Sequence, residues 1–212
     1  FLYYQGEEDV QRYADYSDMM LMLVKQWRMD WNDWNLPFLF VQLPMYLADG
    51  EKDDSYWALQ REQQYIASMM IQNAGMISLA DCGEYDNIHP LDKKTPGERL
   101  FQLAKNLVYD KQGTITATAA QLFSDNGKLY VTFDHLHEKL VMQTANGCPF
   151  EISGEDNLFY PAKADVIHGN MLCISNPAVK FPSAVKYAWY NFGEAVLFTE
   201  SGNPVSPFFK CV

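Results

Sequence analysis

The sequence contains little positive charge, and none of it is concentrated. Its 16 Lys and Arg stand against 27 Asp and Glu, which gives a formal net charge of −11. No run of four or more basic residues occurs anywhere in the chain. Nucleic-acid backbones and anionic membrane surfaces are bound through clustered Lys and Arg, so we expect neither nucleic acid nor a membrane as a partner. A neutral or weakly charged molecule such as a sugar is compatible with this charge balance.

Cysteines and long apolar runs are also scarce. The four cysteines, Cys82, Cys148, Cys173 and Cys211, form no Cys-x-x-Cys pair and no spacing typical of a zinc site. They are too few for a disulfide framework in a chain of 212 residues. No apolar run approaches the roughly 20 residues that span a bilayer. What remains is a globular protein whose 48% hydrophobic residues are enough to bury a core.

The beginning of the sequence shows neither an initiating Met nor a signal peptide. It opens directly on Phe-Leu-Tyr-Tyr-Gln-Gly, a pattern typical of the end of a strand. We therefore expect that the N-terminal part of a longer protein is missing from this sequence.

The first half of the chain alternates strand-like apolar runs with segments of helical periodicity. These segments follow one another in the order 1–4, 13–31, 36–43, 55–72, 75–83 and 98–110. Ser55 is placed to cap the second helix. Strands and helices in alternation predict parallel strands with right-handed crossovers.

From about Gly113 the pattern changes to short alternating runs separated by Asn, Gly, Asp and Pro, which is typical of antiparallel strands. The composition changes as well. Residues 1–112 hold ten basic and eighteen acidic side chains, whereas the remainder holds six Lys, no Arg and nine acidic side chains. We therefore predict two domains, 1–112 and 113–212.

Two loops at predicted strand ends carry chemically active side chains. They are residues 5–9, after the first strand, and residues 81–90, after the third. Ligands of open parallel sheets bind beyond the carboxyl ends of the strands. In the second loop Asp86 and His89 stand three apart, so the carboxylate can orient an imidazole that deprotonates a hydroxyl. The alternative is that Asp86 holds loop backbone and His89 is an incidental exposed histidine.

A series of segments adds to this pattern: FLYYQGEED, LPFLFVQL, YWALQREQQ, GMISLADCGEYDNIHPLDKKTPGERL, FEISGED, FYPAKADV and AVKYAWYN. In this order they resemble the sialate O-acetylesterase family, which belongs to the SGNH hydrolases. The joint occurrence of Gln-Gly-Glu and Asp-x-x-His-Pro is the most specific part of the likeness. The resemblance implies an α/β fold, in which a partial SGNH-type (flavodoxin-like) parallel sheet with helices is followed by an antiparallel β-sandwich. Residues 1–112 then form the C-terminal part of a catalytic domain.

The function implied by the resemblance is that of a carbohydrate esterase, which removes O-acetyl groups from sialic acid or a related acetylated sugar through a serine acyl-enzyme. Carried over by position, His89 is the general base and Asp86 orients it, with Glu7 ranked second as an orienting carboxylate. The oxyanion hole and site wall are formed in part by Gln5, Gly6 and Glu7. An oxyanion hole aims N–H donors at charge that develops in the tetrahedral intermediate. No metal or organic cofactor is implied, and the substrate is a small acetylated sugar.

Two departures from the family pattern are visible. The family has Asn where this sequence has Asp9, and an ionised Asp cannot donate a hydrogen bond. The family's nucleophilic Ser lies upstream in a Gly-Gln-Ser turn, and neither Gly-Gln-Ser nor Gly-x-Ser-x-Gly occurs here. We therefore expect the chain to be inactive alone and to depend on an N-terminal fragment or domain that carries the Ser. The resemblance also implies a periplasmic or extracellular location.

Two further groups of residues suggest other chemistry. His135 and His137 alternate after a strand and, with Asp134 or Glu138, resemble a transition-metal site. We favour an ordinary polar turn there and predict no metal. Cys82 lies close to His89 in sequence, which suggests a Cys–His nucleophile pair. Because it follows a buried strand, a packed thiol is the preferred interpretation.

Tyr187, Trp189 and Tyr190 lie close together on a predicted strand and suggest a platform for sugar rings. Core packing is the commoner use of such residues and is preferred. The platform nevertheless defines a rival function, in which the chain is a non-catalytic carbohydrate-binding or interaction module. That rival predicts glycan binding by residues 113–212 alone, independent of His89.

Overall fold

The structure is a computed structural model that describes all residues from 1 to 212. It divides into two compact units. The first comprises residues 1–115 and 190–192, and the second comprises 116–189 and 193–212. The sequence placed a boundary after residue 112, and no sequence feature indicated that residues 190–192 belong to the first unit.

The first unit is a three-stranded sheet with helices. Its elements are β1 (Leu2–Tyr3), a 3-10 helix (Glu7–Asp15), α1 (Tyr16–Asp30), β2 (Phe38–Gln42), α2 (Tyr56–Met70), β3 (Ala74–Ser78) and α3 (Lys94–Leu107). The strands pair in the order β1-β2-β3, and both pairings are parallel. The predicted α/β fold with a parallel sheet is confirmed.

Strands β2 and β3 are buried on both faces, as their continuous apolar sequence requires. Successive side chains of a strand point to opposite faces. Phe38 and Phe40 of β2 therefore join one core cluster with residues of α1 and α2, while Leu39 and Val41 join a second cluster with residues of α3. None of the helices has the length and apolar character needed to cross a membrane.

Neighbouring aspartates, which the sequence did not single out, cap the starts of two helices. Ser55 has a left-handed backbone and its side chain makes no cap hydrogen bond, so its predicted capping role is wrong. The carboxylate of Asp54 accepts from the backbone N–H of Tyr56 instead, at 3.0 Å. Helix α3 begins earlier than predicted because the carboxylate of Asp92 accepts from the N–H groups of Lys94 and Thr95, both at 3.0 Å. Such caps satisfy N–H groups that have no partner within the helix.

Residues 190–192 are joined to the first unit by hydrogen bonds around Asn191, which is buried. Its side-chain oxygen accepts from the backbone N–H of Trp57 at 3.0 Å, and its side-chain nitrogen donates to Asp54 at 2.9 Å. Its backbone N–H donates to Asp53 at 2.8 Å, and its carbonyl accepts from Tyr46 at 2.8 Å. Asn191 therefore helps to fix the start of α2.

The second unit consists of antiparallel strands. They are β4 (Thr118–Asp125), β5 (Lys128–Asp134), β6 (Leu140–Met142), β7 (Phe150–Ser153), β8 (Tyr160–Pro161), β9 (Lys163–Ile167), β10 (Met171–Ser175), β11 (Ala184–Tyr187), β12 (Leu197–Thr199) and β13 (Phe208–Cys211). Two four-stranded sheets run β4-β5-β10-β9 and β13-β11-β7-β8, and β12 pairs with β6. The rings of Phe133 and Phe208 join the two larger sheets edge to face. The antiparallel β-sandwich that follows the parallel sheet is confirmed.

The aromatic residues of β11 and its exit belong to the core of this unit. Tyr187 is fully buried, its ring stacks on Phe150 at 4.8 Å between centroids, and its hydroxyl accepts from the N–H groups of Val196 and Leu197. Trp189 is also buried and packs on Phe209. Core packing is therefore confirmed for Tyr187 and Trp189, and neither forms a platform for sugars.

Candidate active site

The loop after β1 is held by side chains from two helices. The carbonyl oxygen of Gln5 accepts from the hydroxyl of Tyr16 at 3.0 Å and from the side-chain amide of Gln64 at 3.3 Å. The side chain of Gln5 accepts from the Tyr3 hydroxyl at 3.0 Å and donates to Asp9 at 2.6 Å. Both the backbone and the side chain of Gln5 are therefore fixed.

Gly6 is required at its position by conformation and by space. It is buried, and its φ of 138° lies in a region that side-chain-bearing residues rarely adopt. A Cβ atom there would lie 3.0 Å from the side-chain nitrogen of Gln60, 3.1 Å from that of Gln64 and 3.2 Å from the Tyr16 hydroxyl. The close approach of these three polar groups explains why the Gln-Gly-Glu segment needs its glycine.

The two acids of this loop have different surroundings. Asp9 accepts hydrogen bonds from Gln5 and from Arg12, the latter at 3.1 Å, so its carboxylate ties the loop to the following 3-10 helix. Glu7 is half-buried and its carboxylate has no hydrogen-bond partner in the protein. Burial, with the charge of Glu7 as a smaller cause, raises the pKa of Tyr4 to about 12. Asp9 therefore acts as an acceptor, as its chemistry requires.

Beneath this loop, α2 carries polar side chains in fully buried positions. Gln64 accepts from the backbone N–H of Leu43 at 2.8 Å, and Gln42 donates to the carbonyl of Arg61 at 3.1 Å. The Arg61 guanidinium donates to the Tyr190 carbonyl, and burial lowers its pKa to about 10. Sequence reasoning overlooked Gln64. The only available signal was the cluster of polar residues on a helix packed against a buried strand.

The loop after β3 begins with a partly exposed ion pair. Arg99 of α3 binds both carboxylate oxygens of Asp81, at 2.6 and 2.7 Å, and donates to the carbonyl of Ser78 at 3.0 Å. Although burial acts to lower it, the bonds and charge of Asp81 leave the pKa of Arg99 raised. Such a two-pronged arginine contact fixes direction as well as distance. The end of β3 is thereby tied to α3.

The same loop is pressed against the segment after β2. A Cβ atom on Gly83 would lie 2.0 Å from the backbone oxygen of Met45, so no larger residue fits without displacement of backbone. Three residues later the backbone N–H of Asp86 donates to the carbonyl of Leu47 at 2.9 Å. The Asp86 carboxylate accepts from the N–H of Asp49, also at 2.9 Å. Sequence reasoning missed Gly83 because its neighbour comes from a distant segment.

Glu84 fixes the far side of the loop. Its two carboxylate oxygens accept from the backbone N–H of Leu91 at 2.6 Å and from the side-chain amide of Asn87 at 2.7 Å. The oxygen of the Asn87 side chain accepts in turn from the N–H of His89 at 3.1 Å. These bonds, that of Leu91 first, hold the pKa of Glu84 below its usual range. A network of loop residues therefore sets the backbone around His89.

Comparison with known proteins identifies the family. Residues 1–107, half of the chain, match the family model described as carbohydrate esterase, sialic acid-specific acetylesterase. The chain belongs to this acetylesterase family. Sialate O-acetylesterase of Mus musculus is 27% identical over 98% of this chain and 43% of its own length, and that of Homo sapiens is 25% identical over 72% and 32%.

A solved structure described as a novel carbohydrate acetylesterase from Xanthomonas citri shares the fold. It superposes with a TM-score of 0.90 and 32% identity, covering 99% of this chain and 49% of its own. The chain therefore spans less than half the length of these acetylesterase relatives. The predicted family is confirmed.

Within this acetylesterase family framework, the structure places the two predicted catalytic residues on one exposed loop at the carboxyl end of β3. It does not pair them. The Asp86 carboxylate bonds to the backbone of Asp49, and the His89 imidazole has no hydrogen-bond partner in the protein. Gln5, Gly6 and Glu7 lie at the carboxyl end of β1, in the same sheet. The roles of these five residues stay predictions.

The structure also describes the surroundings of two alternatives from the sequence, the Cys82 nucleophile and the metal site near His137. Cys82 packs against the core cluster of β2, β3 and α3, and burial, followed by the charge of Asp81, raises the pKa of its thiol to about 12. A thiol that stays protonated at neutral pH is a poor nucleophile, so the packed thiol is confirmed. Glu138, next to His137, accepts from the N–H and hydroxyl of Ser201 at 2.8 and 2.6 Å. No three His, Cys, Asp or Glu side chains are grouped to hold a metal ion.

Proposed function

We propose that this chain is part of a carbohydrate esterase that removes O-acetyl groups from sialic acid or a related acetylated sugar. One observation carries the proposal: the exposed His89 loop and the fixed Gln5–Gly6 loop both follow carboxyl ends of parallel strands in one sheet. This is the edge at which such sheets bind ligands. The family match and the names of the relatives support acetyl-ester hydrolysis as the reaction.

The proposed chemistry is serine acyl-enzyme hydrolysis. His89 takes the proton of the Ser hydroxyl as that oxygen attacks the acetyl carbonyl, and returns it to the departing sugar oxygen. A water then attacks the acetyl-enzyme by the same route and releases acetate. Gln5, Gly6 and Glu7 form the site wall and part of the oxyanion hole, and no metal or organic cofactor takes part.

Asp86 is the proposed orienting acid. To orient His89, the Asp86 carboxylate gives up the backbone N–H of Asp49 and accepts from the imidazole N–H of His89 instead. The carboxylate then stabilises the positive charge on the His89 ring while that ring holds the proton. Both residues are exposed at the loop surface, so no core packing opposes this exchange. The substrate's arrival supplies the burial that strengthens the pair.

The nucleophilic Ser is proposed to come from polypeptide outside residues 1–212, in an N-terminal fragment or domain of the same protein. The family's glycan-processing role supports a periplasmic or extracellular site of action. No nucleic acid and no membrane is proposed as a partner, because the basic residues are few and scattered.

The test is acetate release by the protein that includes the nucleophile-bearing part. With p-nitrophenyl acetate and with O-acetylated sialic acid, we expect His89→Ala to lower kcat/KM by at least about 1,000-fold. His137→Ala, an exposed histidine on a loop of the second unit, is the matched control and keeps full activity. Full activity in the His89 variant would reject the assignment. Glycan binding without acetate release, unchanged by His89→Ala, would support a binding module instead.

A further inference from the structure

The turn between α1 and β2 exposes two tryptophans. Trp31 is 69% exposed and Trp34 is 60% exposed, and both belong to the segment Trp-Asn-Asp-Trp-Asn, residues 31–35. We call this segment the Trp turn. Tryptophan is highly buried on average, because its large ring gains much from leaving water. Single exposed apolar side chains are ordinary on a protein surface, whereas two tryptophans on one short turn mark a surface that binds another molecule.

The backbone of the Trp turn is fixed from inside the protein. The buried guanidinium of Arg28 donates to the carbonyl of Leu36 at 3.0 and 2.8 Å and to that of Gln72 at 2.7 Å. Within the turn, the N–H of Asp33 donates to the carbonyl of Arg28 at 2.9 Å. The Asp33 carboxylate accepts from the N–H of Asn35, also at 2.9 Å. The two rings therefore project from a backbone that is held before a ligand arrives, which lowers the entropy cost of binding.

The free polar groups of the Trp turn suit hydroxyl groups. The side-chain amides of Asn32 and Asn35 are exposed and make no hydrogen bond within the protein. Each amide offers two N–H donors and a carbonyl acceptor. A sugar ring presents an apolar face of C–H bonds and a rim of hydroxyls that both donate and accept. Aromatic rings with a few free polar groups beside them therefore match the chemistry of a sugar.

The charges of this segment indicate a neutral ligand. Between residues 26 and 36 the only basic side chain is Arg28, whose buried guanidinium donates to backbone carbonyls. Asp30 and Asp33 supply the acidic side chains of the segment, and both residues are exposed. The segment thus offers no cation to a carboxylate, a phosphate or a sulfate, which are bound through such charges. A neutral sugar fits this turn, whereas a sugar acid does not.

We propose that the Trp turn is a second binding site of this protein, in which its two tryptophan rings stack on a neutral sugar residue of a glycan. The free amides of Asn32 and Asn35 bond to the hydroxyls of that sugar. The site takes no part in ester hydrolysis, and its existence does not depend on the proposed function.

The Trp turn lies at the edge of the sheet opposite the candidate active site. Strands β1 and β2 are parallel, and the chain leaves β1 at the carboxyl edge, where Gln5 lies. Helix α1 leads back to the other edge, where β2 begins after the turn. The five residues of β2, roughly 17 Å, separate the two edges. The protein can therefore hold a glycan at the Trp turn while the loop of His89 stays open.

A protein partner fits the Trp turn less well than a sugar. A stable protein interface buries about 800 Å² on each partner and keeps charged residues out of its centre. The Trp turn is five residues long, and Asp33 stands between its two tryptophans, with Asp30 directly before them. Aromatic rings separated by acids and amides favour a small hydroxylated ligand over a folded partner.

The test follows the indole N–H signals of this chain by NMR during titration with the methyl glycosides of glucose, galactose, mannose, xylose and N-acetylglucosamine. The chain has five tryptophans, so single substitutions assign every signal. We expect at least one glycoside to shift the signals of Trp31 and Trp34. We expect Trp34→Ala to raise the Kd for that glycoside at least about tenfold, because the stacked ring is lost. Trp34→Phe, which keeps a smaller ring, should raise it less.

Phe181→Ala is the matched control, because it removes an aromatic ring that is 80% exposed and lies outside the turn. We expect it to leave the Kd unchanged. All three variants should keep the Tm of the parent chain, since both side chains are exposed. N-Acetylneuraminic acid, a sugar acid, should not shift the two indole signals.

Four results would overturn the proposal. They are the absence of a shift with every neutral glycoside, equal weakening by Phe181→Ala and Trp34→Ala, and binding of N-acetylneuraminic acid as tight as that of the neutral sugar. The fourth is a loss of the shifts in the intact protein, which would show that other polypeptide covers the turn. The esterase proposal fails separately. His89→Ala should leave sugar binding at the Trp turn unchanged, and an intact protein that binds the glycoside here but releases no acetate rejects only the esterase function.

Discussion

The two loops of the candidate active site are held in place by different means. Gln5 and Gly6 are fixed by Tyr16 of α1 and Gln64 of α2, two buried side chains, and Gln64 stands 59 residues away from Gln5 in the sequence. The loop around His89 is fixed by Glu84 and by close backbone contact with the segment after β2. One loop is therefore part of the core, whereas the other is a surface structure built on hydrogen bonds.

This difference suits the two roles proposed for them. An oxyanion hole works because its donors are already in place when charge develops, and burial under α2 provides that rigidity. A general base must meet both the nucleophile and the leaving group, and the exposed imidazole of His89 is free to do so. The contrast predicts that substitutions that alter side-chain packing disturb the first loop. The second loop should be disturbed by substitutions at its close backbone contacts and by a fall in pH.

The largest effect is expected from Gly83→Ala. The added methyl group meets backbone oxygen of Met45, which cannot move aside as a side chain can. We expect a loss of about 2–3 kcal/mol in the free energy of unfolding, measured by denaturant titration. Gly147→Ala, where nothing lies within 4 Å of the new atom, is the control and should change stability little. Equal stability of the two variants would show that the segment after β2 yields easily.

A smaller loss is expected from Gly6→Ala. The atoms around its Cβ position are ends of flexible side chains, so the cost comes mainly from the backbone φ of 138°. We expect about 2 kcal/mol. Gly50→Ala separates conformation from crowding, because Gly50 also has positive φ, 77°, but open space around it. Its cost should be about 1 kcal/mol, and an equal cost for both would remove any role for Gln60, Gln64 and Tyr16 in selecting glycine.

The smallest effect is a local response of the His89 loop to acid. The folded pKa of Glu84 is lowered, so its bonds are fully present above the ordinary carboxyl range and are lost as pH falls through that lowered value. An NMR titration of the Leu91 amide should show the loop loosening as pH falls below the ordinary carboxyl range. Glu84→Gln should show a loosened loop already at pH 7. A Leu91 signal that is the same in both proteins at every pH would contradict the assigned contact.

Much of the fold follows from local patterns. The alternation of apolar runs and helical periodicity predicted three parallel strands with helices, because burial on two faces selects continuous apolar strands. The change of pattern near Gly113 likewise predicted the antiparallel strands. The capping side chain of α2 was predicted incorrectly, since both Ser55 and Asp54 are suitable caps and only the path of the backbone decides between them.

By itself, the sequence determined the parallel strands and helices of the first unit, the position of its two loops at strand ends, and the residue types that those loops offer for chemistry. These depend on periodicity over a few residues, which any segment carries within itself. Only the tertiary structure decided that Gly83 lies against Met45, that Gln64 holds Gln5, and that Asn191 belongs with α2. Such contacts join segments far apart in the chain, and their energy depends on the packing of the whole unit, which no local pattern records.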